Sequence, residues 1–146
     1  MRMTETNICP CGTTQDYSQC CEPFILGQAQ PETAEKLMRS RYSAYYKKNI
    51  SYIRKTLAPE SVGDFDEEAT REWAQDAKWL GLEIVDTYEG TATDKTGEVE
   101  FIAKYKENGK IWEHHETSQF RKNEHGHWKF IDGDDETYED EDSTYE

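Results

Sequence analysis

The sequence has no apolar run that approaches the roughly eighteen residues needed to span a bilayer, and its mean hydropathy is −1.05. Basic residues are scarce, with 17 Lys and Arg against 31 Asp and Glu, so the formal net charge is −14. Nucleic-acid affinity comes mainly from Lys and Arg contacts to phosphates, which this composition opposes. We therefore expect neither a membrane nor a nucleic acid among the partners.

Cysteine is absent outside one stretch, CPCGTTQDYSQCC, which holds Cys9, Cys11, Cys20 and Cys21. The spacing is C-x-C, eight intervening residues, then C-C. Four thiolates are the ligand set of a closed, tetrahedral structural zinc site, with no position left for water or substrate. The sequence therefore predicts one structural Zn²⁺ per chain, bound by these four cysteines.

Two other interpretations of the cysteines stay open. An even cysteine count in a short chain allows two disulfides, but these need an oxidising compartment. The beginning of the chain, MRMTETNIC, lacks the apolar segment of a secretion signal. An iron–sulfur cluster uses the same ligands, usually at other spacings. Clustered free thiols favour a reducing cytoplasm, which is the localisation that we expect.

Charge is distributed unevenly along the chain. Residues 31–60 are net positive, whereas from Asp132 onward there are nine acidic residues and no basic one. Such a self-repelling segment with little apolar content predicts a disordered acidic tail over residues 134–146. Its simplest role is solubility. The alternative is an acidic arm that binds a basic partner or folds back over the positive residues 31–60.

Three helices are predicted before residue 82. In PETAEKLMRSRYSAYYKK, apolar residues recur every three or four positions, which indicates an amphipathic helix beginning near Pro31. Asn49 can cap a second, short helix, which Pro59 should end. A third helix is predicted from about residue 66 to 80, with Gly81 at its C-terminal stop.

Beyond the helices the apolar period changes to two. Strands are predicted over residues 82–88, 98–106 and 110–121, and HWKFID begins a fourth. Glu107-Asn108-Gly109 is a strong hairpin signal because it contains Asn-Gly. Three helices followed by a four-stranded antiparallel meander describe an α+β domain, with helices on one face of a curved sheet. The predicted organisation is a zinc knot (1–30), this domain (31–133) and the tail.

One face of the strand 110–121 carries candidate functional residues. Trp112 and Phe120 mark the face that turns toward the helices, which places His114, Glu116 and Ser118 on the inner side. Glu116 or His114 could act as a general base, with Ser118 orienting a ligand. The sequence shows no recognisable arrangement of a nucleophile, a base and a residue that orients the base.

A structural explanation of the same residues is favoured. Arg39 or Arg41, on the first long helix, could satisfy Glu116 in an ion pair that only specifies packing. His125 and His127 flank a glycine turn and are expected to be solvated, not to form a second metal site. Aromatic side chains of the core could instead line a ligand cavity, with Trp73, Trp79, Trp112 and Trp128 as candidates.

The segment CPCGTTQDYSQCC resembles the SEC-C motif, the zinc-binding segment named after the C-terminus of the SecA translocation ATPase. The continuation EPFILGQAQPETAEKLMRSRYSAYY resembles the start of the bacterial YchJ family, in which that motif precedes a cone-shaped domain similar to nuclear transport factor 2. WLGLEIVDTYEG, HHETSQF and HWKFIDGD extend the resemblance to about Asp134. It implies a cone-like arrangement that commonly encloses a cavity between sheet and helices.

The resemblance suggests partners as well. SEC-C segments in other proteins dock on the export chaperone SecB or on ribosomes through positive charge, and typical loops are lysine-rich. Here the loop has no Lys or Arg, and an acidic tail stands where many YchJ-like proteins carry a second SEC-C motif. We favour a non-catalytic adaptor, a zinc knot attached to a binding domain with a protein partner. The alternative is a small-molecule binder or an isomerase- or dehydratase-like enzyme whose cavity uses Glu116 and His114.

Overall fold

The computed structural model describes residues 7–140 and has an α+β fold, with helices packed on a four-stranded antiparallel sheet in the order β1-β2-β3-β4. This confirms the predicted fold class. The helices are α1 (Glu22–Ile25), α2 (Ala34–Lys47), α3 (Ile50–Lys55), α4 (Pro59–Val62) and α5 (Glu67–Asp76). The strands are β1 (Lys78–Glu89), β2 (Thr96–Glu107), β3 (Lys110–Lys122) and β4 (Trp128–Glu139).

Local sequence signals determine where α2 and α3 begin and end. The Thr33 side chain caps α2 by accepting from the backbone N–H of Lys36, and Lys48 ends the helix at φ 62°. Asn49 caps α3 as predicted, through its side-chain oxygen. Pro59 does not end α3, which already stops at Lys55; it opens the short helix α4, where its missing N–H costs nothing.

The third predicted helix is shorter than the sequence indicates. It runs over Glu67–Asp76, and the predicted last turn instead belongs to β1, which begins at Lys78. Ala77 is already extended, and Trp79 is 7% exposed because its ring packs into the aromatic core. The prediction that this helix reaches residue 80 was therefore wrong, since tertiary burial of Trp79 outweighed the helical spacing.

The sheet is a continuous meander with local irregularities. Asn108 and Gly109 both have positive φ in the predicted β2–β3 hairpin, and Glu107 pairs with Lys110 across it. The pairing register shifts between Trp79 and Gly81, between Ile84 and Asp86, and between Gln119 and Phe120. Such bulges bend and twist strands, which curves the sheet around the helices.

The acidic C-terminal segment is partly ordered, contrary to expectation. β4 continues to Glu139, and residues 134–139 pair with β3, so the prediction of a disordered tail from residue 134 was wrong for this part. Ladder hydrogen bonds to Trp112–Thr117 of β3 stabilise a composition that would not fold alone. The rest of the predicted tail, residues 141–146, lies outside the described residues.

The cysteine segment, residues 7–30, packs on the body of the protein. It contains the 3₁₀ turn Tyr17–Gln19 and α1, and its buried cysteines share one apolar core with α2. A Cβ on Gly12 would lie 2.8 Å from the backbone oxygen of Leu82 in β1, so the loop approaches the sheet closely. Within residues 7–140, no helix has the length and apolar character needed to cross a membrane.

Candidate functional site

The four cysteines predicted as metal ligands lie together beneath α2. Their Sγ atoms all lie within 4.8 Å of one another, with Cys11 and Cys20 at 3.6 Å and Cys20 and Cys21 at 4.0 Å. Cys9, Cys11 and Cys21 are buried, and Cys20 is half-buried. Within residues 7–140, this is the one group of at least three His, Cys, Asp or Glu side chains close enough to hold a metal ion.

The sulfur spacing fits a single ion better than the alternatives. Four thiolates about 2.3 Å from a tetrahedral zinc lie about 3.8 Å apart, which is close to the distances of 3.6 Å between Cys11 and Cys20 and 4.0 Å between Cys20 and Cys21. A disulfide needs about 2.05 Å, and all four cysteines are free. An iron–sulfur cluster would place its own atoms between the cysteines and hold them farther apart. The cluster could therefore hold one tetrahedral metal ion.

Groups around the sulfurs are suited to thiolate charge. The hydroxyl of Thr13 lies 3.2 Å from Cys20 Sγ, and that of Ser43, on α2, lies 3.6 Å from Cys9 Sγ. Arg39 donates from Nη1 to the backbone oxygen of Cys11 at 2.6 Å. Hydroxyl donors and a nearby guanidinium would compensate the negative charge of four thiolates around a divalent ion.

Three of the thiols have pKa values shifted from the ordinary one, in different directions. Hydrogen bonds from Cys21 and Cys9 hold the pKa of Cys11 well below its ordinary value. The hydrogen bond with Cys11 raises the pKa of Cys21, and burial raises the pKa of Cys20 to about 11. The thiols of Cys20 and Cys21 would therefore have to lose their protons when a cation binds. Metal binding here would release protons.

A second feature is a cavity of about 520 Å³ between the sheet and the helices α2 and α5. Its size is within the range of small-molecule sites. Its walls combine aromatic side chains, with Tyr45, Trp73, Trp79, Phe101 and Phe130 among them, and a similar number of polar or charged ones. Of the four tryptophans considered from the sequence, Trp73 and Trp79 line this cavity, whereas Trp112 packs against the core and Trp128 is buried at the start of β4.

His114, Glu116 and Ser118 all line the cavity, on the inner face where the alternation of β3 placed them. His114 Nε2 lies 2.8 Å from Glu116 Oε1, and Ser118 donates to Oε2 at 2.5 Å. On the other side of the ring, Thr137 Oγ1 lies 3.1 Å from Nδ1. Thr137 belongs to the part of β4 that composition had assigned to the tail, so the sequence prediction missed this partner.

Glu116 is ionised within this network. Burial opposes the charge, but hydrogen bonds from His114 and Ser118, with the charges of His114 and Arg41, outweigh it and lower the pKa of Glu116. An ionised carboxylate only accepts, so His114 donates its Nε2–H. On the other side of the ring, Nδ1 and the Thr137 hydroxyl share a hydrogen bond, in which Nδ1 donates when the ring is charged and accepts when it is neutral. The polar atoms of His114 and both oxygens of Glu116 therefore have protein partners.

The predicted arginine ion pair with Glu116 is not formed. Arg39 pairs with Glu35 at 2.9 Å, and Arg41 donates from Nη1 to the Ile53 carbonyl at 2.9 Å and to the Thr56 hydroxyl. Arg41 lines the cavity and acts on Glu116 only through its field. That interpretation was wrong because the guanidinium of Arg41 is bound by the Ile53 carbonyl and the Thr56 hydroxyl at the end of α3.

His125 and His127, in the turn between β3 and β4, belong neither to the cysteine cluster nor to the cavity lining. His125 is exposed, with Nε2 3.6 Å from a Glu124 oxygen, and its ring centroid is 6.2 Å from that of His127. The backbone N–H groups of both histidines donate to the side chain of Asn123, which fixes the turn. These contacts give the two residues a local role in the β3–β4 connection.

Fold and site together define an NTF2-like α+β domain with an N-terminal cysteine cluster. The family model described as "YchJ, middle NTF2-like domain" matches residues 33–133, from the N-cap of α2 into β4. This chain belongs to the YchJ-like family.

Relatives and solved structures agree with this assignment. A UPF0225 protein of Geobacter sulfurreducens is 49% identical over 128 residues, covering 88% of this chain and 79% of the relative. A UPF0225 protein of Actinobacillus succinogenes is 42% identical, with 87% and 81% covered. The solution structure of a SEC-C motif protein from Rhodopseudomonas palustris superposes with a TM-score of 0.79 at 38% identity, covering 86% of this chain and 96% of that one. A crystal structure of a SEC-C motif protein from Psychrobacter arcticus gives a TM-score of 0.73 at 34% identity, with 85% and 80% covered.

Proposed function

We propose that this chain is a zinc-stabilised, non-catalytic binding protein of the cytoplasm whose internal cavity takes a small ligand. The observation that carries the proposal is the cavity of about 520 Å³, with aromatic walls and a convergent polar group at its base. Concave, mainly apolar sites with few placed polar groups are the usual form of small-molecule sites. Free, clustered thiols favour a reducing compartment.

The polar network favours binding over catalysis. The ring nitrogens of His114 and both oxygens of Glu116 already have protein partners, and Ser118, which donates to Glu116, is fully buried. A nucleophile must be able to reach its substrate, and a general base needs a free position facing that substrate. A network whose hydrogen bonds are already formed within the protein instead offers a fixed polar surface to a ligand.

The proposed zinc is structural. Four protein sulfurs fill a tetrahedral shell, so Cys9, Cys11, Cys20 and Cys21 would hold the ion without an open position. The ion supplies cohesion to a segment that buries little apolar surface by itself. Because Ser43 and Arg39 on α2 contact this segment, the metal also braces the helix that forms one wall of the cavity.

The binding proposal is tested by screening small organic fragments against ¹⁵N-labelled protein. The indole N–H signals of Trp73 and Trp79 report on the cavity, and that of Trp128 serves as an internal reference. We expect some fragments to shift the two cavity signals. Ala103→Phe, which fills the cavity from β2, should abolish these shifts, whereas Ala69→Phe on the exposed side of α5 should not.

Two results would contradict the binding proposal. One is that no fragment shifts either cavity signal in the wild-type protein. The other is that shifts persist unchanged in a folded Ala103→Phe variant, because the fragments then bind elsewhere. Thermal unfolding of both variants establishes that they fold.

An adaptor role with a protein partner stays a prediction, since the contacts within residues 7–140 do not test it. Copurification at low and moderate salt addresses it directly. Recovery of the same specific partner at both salt concentrations would favour the adaptor, and its absence at both would exclude it.

A further inference from the structure

We propose that the cavity binds a small organic carboxylate with an apolar body, and that Arg41 is the residue that binds the carboxylate group. This inference rests on the proposed binding function of the cavity and adds the chemical class of its ligand. It follows from a buried guanidinium that lines the cavity and whose hydrogen bonds within the protein are incomplete.

The guanidinium of Arg41 is fixed on one edge and one face. The side chain is 7% exposed and lines the cavity from α2. Its Nη1 donates to the Ile53 carbonyl at 2.9 Å and to the Thr56 hydroxyl at 2.5 Å, which uses both N–H groups of that nitrogen. The guanidinium carbon lies 4.6 Å from the centroid of the Phe130 ring, which covers one face of the group. The donors that remain are therefore held in a defined position.

These remaining donors, on Nε and Nη2 of Arg41, have no hydrogen-bond partner among residues 7–140. In this part of the chain, the unpartnered side-chain atoms that are sealed from solvent are the Tyr42 hydroxyl and the Trp79 indole nitrogen. The unpartnered nitrogens of Arg41 are not sealed, and since the residue is buried at the cavity wall, the space that they reach is the cavity. Nε–H and one Nη2–H form the edge that a carboxylate binds with two parallel hydrogen bonds.

Arg41 also lacks a contacting anion. The described carboxylates that line the cavity form no ion pair with it: Glu116 is bound by His114 and Ser118, and Glu60 by Arg121. A buried cation without a paired charge is costly in a folded protein. A ligand carboxylate would supply both the charge and the acceptors that the protein does not.

A second donor lies one turn further along α2. Tyr45 lines the same cavity, and within the described range its hydroxyl has no hydrogen-bond partner and is not sealed from open space. Burial raises the pKa of Tyr45, so the hydroxyl keeps its proton and can donate. Residues four apart share one face of a helix, which places Tyr45 and Arg41 on the same side. The rings of Trp73 and Phe101 in the cavity wall can accept the apolar body of the ligand.

The acidic residues of the cavity oppose an anion only weakly. Asp64, Asp66 and Asp132 line it but are exposed, so water and salt screen their charges. The charge of Glu116 is shared with the hydrogen bonds from His114 and Ser118. Direct contact with the buried guanidinium takes place in a lower dielectric, where a charge-assisted hydrogen bond is strongest.

Three probes with one carbon skeleton and different head groups test the inference: 3-phenylpropionate, 3-phenylpropanamide and 3-phenylpropylamine. Each is titrated into ¹⁵N-labelled protein at pH 7 while the Trp73 indole signal and the Arg41 Nε–H signal are followed. We expect the carboxylate to bind at least about fivefold more tightly than the amide, and the amine to bind most weakly. Only the carboxylate should shift the Nε–H signal strongly.

Arg41→Met assigns the preference to the guanidinium. It keeps an unbranched apolar side chain, removes the charge, and identifies the Nε–H signal by its loss. The preference for the carboxylate over the amide should disappear in this variant. Arg54→Met is the matched control, because Arg54 is an exposed arginine of α3 that pairs with Glu67 and does not line the cavity. It should leave the preference unchanged.

Tyr45→Phe gives a second test that leaves Arg41 in place. Loss of the hydroxyl alone should weaken binding of the carboxylate by about threefold or more. Thermal unfolding establishes that each variant folds. If Arg41→Met does not fold, the probe series, the wild-type Nε–H signal and Tyr45→Phe decide the matter.

The outcomes separate the inference from the function on which it rests. Binding of the amide or the amine as tight as that of the carboxylate overturns the carboxylate ligand and leaves the binding function in place. A preference that a folded Arg41→Met variant retains, or an Nε–H signal that the bound carboxylate does not move, overturns the role of Arg41. If no probe binds while other fragments shift the Trp73 signal, the carboxylate fails alone; if nothing binds, both proposals fail.

Discussion

Gly133, opposite Ser118 in the β3–β4 ladder, leaves the space that the Glu116 side chain occupies. A Cβ at this position would overlap the Glu116 carboxylate, although the backbone conformation there is not one that requires glycine. No sequence signal distinguished this glycine from those in turns. Its function is to admit a buried acid beside the strand.

Gly133→Ala should therefore destabilise the protein by about 1–3 kcal/mol, because the carboxylate must leave its partners or the strands must separate. Gly81→Ala is the matched control, since a Cβ there meets nothing within 4 Å and φ is not positive. Urea unfolding of both variants measures the difference. A Gly133→Ala variant as stable as Gly81→Ala would contradict the described position of Glu116.

The network also predicts how stability depends on pH. The pKa of Glu116 is lowered on folding, so its contribution is fully present above the ordinary carboxyl value of 4.5 and is lost as the pH falls through the folded value. Glu116→Gln should cost about 1–3 kcal/mol at neutral pH, and this difference from wild type should shrink below pH 4.5.

Zinc thiolates also take up protons in acid, so the Glu116→Gln comparison with wild type is made at each pH. Glu124→Gln, in the exposed β3–β4 turn, controls for the loss of one carboxylate. A difference that stays constant from neutral pH to below the folded pKa would show that the Glu116 charge does not contribute through this network.

Among the elements, the CPCG turn depends on a glycine for its close approach to β1 and α2. Gly12 has φ +99°, and a Cβ there would meet the Leu82 oxygen at 2.8 Å and Arg39 Nη1 at 3.3 Å. Gly12→Ala should combine backbone strain with a steric conflict against β1 and α2. We expect it to lower the melting temperature and to weaken metal retention in a chelator competition.

Gly27→Ala is the control for the Gly12 variant. Gly27 has a similar positive φ of +80°, but nothing lies within 4 Å of the added Cβ, so only the strain of about 1–2 kcal/mol remains. The Gly12 variant should be clearly less stable than this control. Equal losses would mean that the loop does not dock on β1 as described.

The elements also show what the sequence could predict. Periodicity and capping residues located α2, α3 and the β2–β3 hairpin, because those signals are local. The end of α5 and the extent of β4 could not be predicted, because the burial of Trp79 and the pairing of residues 134–139 depend on distant partners. The same reason explains why Thr137 was missed as a partner of His114.

For the two sites, too, the sequence predicted what local signals determine and missed what distant contacts determine. The four cysteines were predictable because their identity and spacing define a ligand set. The inner face of β3 was predictable from alternation, but the choice of partner for Glu116 was not. That choice depends on where the end of α3 places the Ile53 carbonyl and the Thr56 hydroxyl relative to Arg41.

At the scale of the whole molecule, one helix links both features. α2 contacts the cysteine segment through Arg39 and Ser43, and it lines the cavity through Arg41 and Tyr45. The cysteines lie in the same apolar core as the cavity walls. Loss of a metal from the cluster would therefore loosen a cavity wall, and the stability of the domain should fall with it.

Elemental analysis of the purified protein, with thermal unfolding before and after chelation, tests this account most directly. We predict one zinc per chain, loss of zinc in Cys20→Ser but not in Ser18→Ala, and a lower melting temperature after chelation with a shifted Trp79 signal. Protein that contains no zinc while its four thiols are free, or that keeps its melting temperature and its Trp79 signal after zinc is removed, would contradict it.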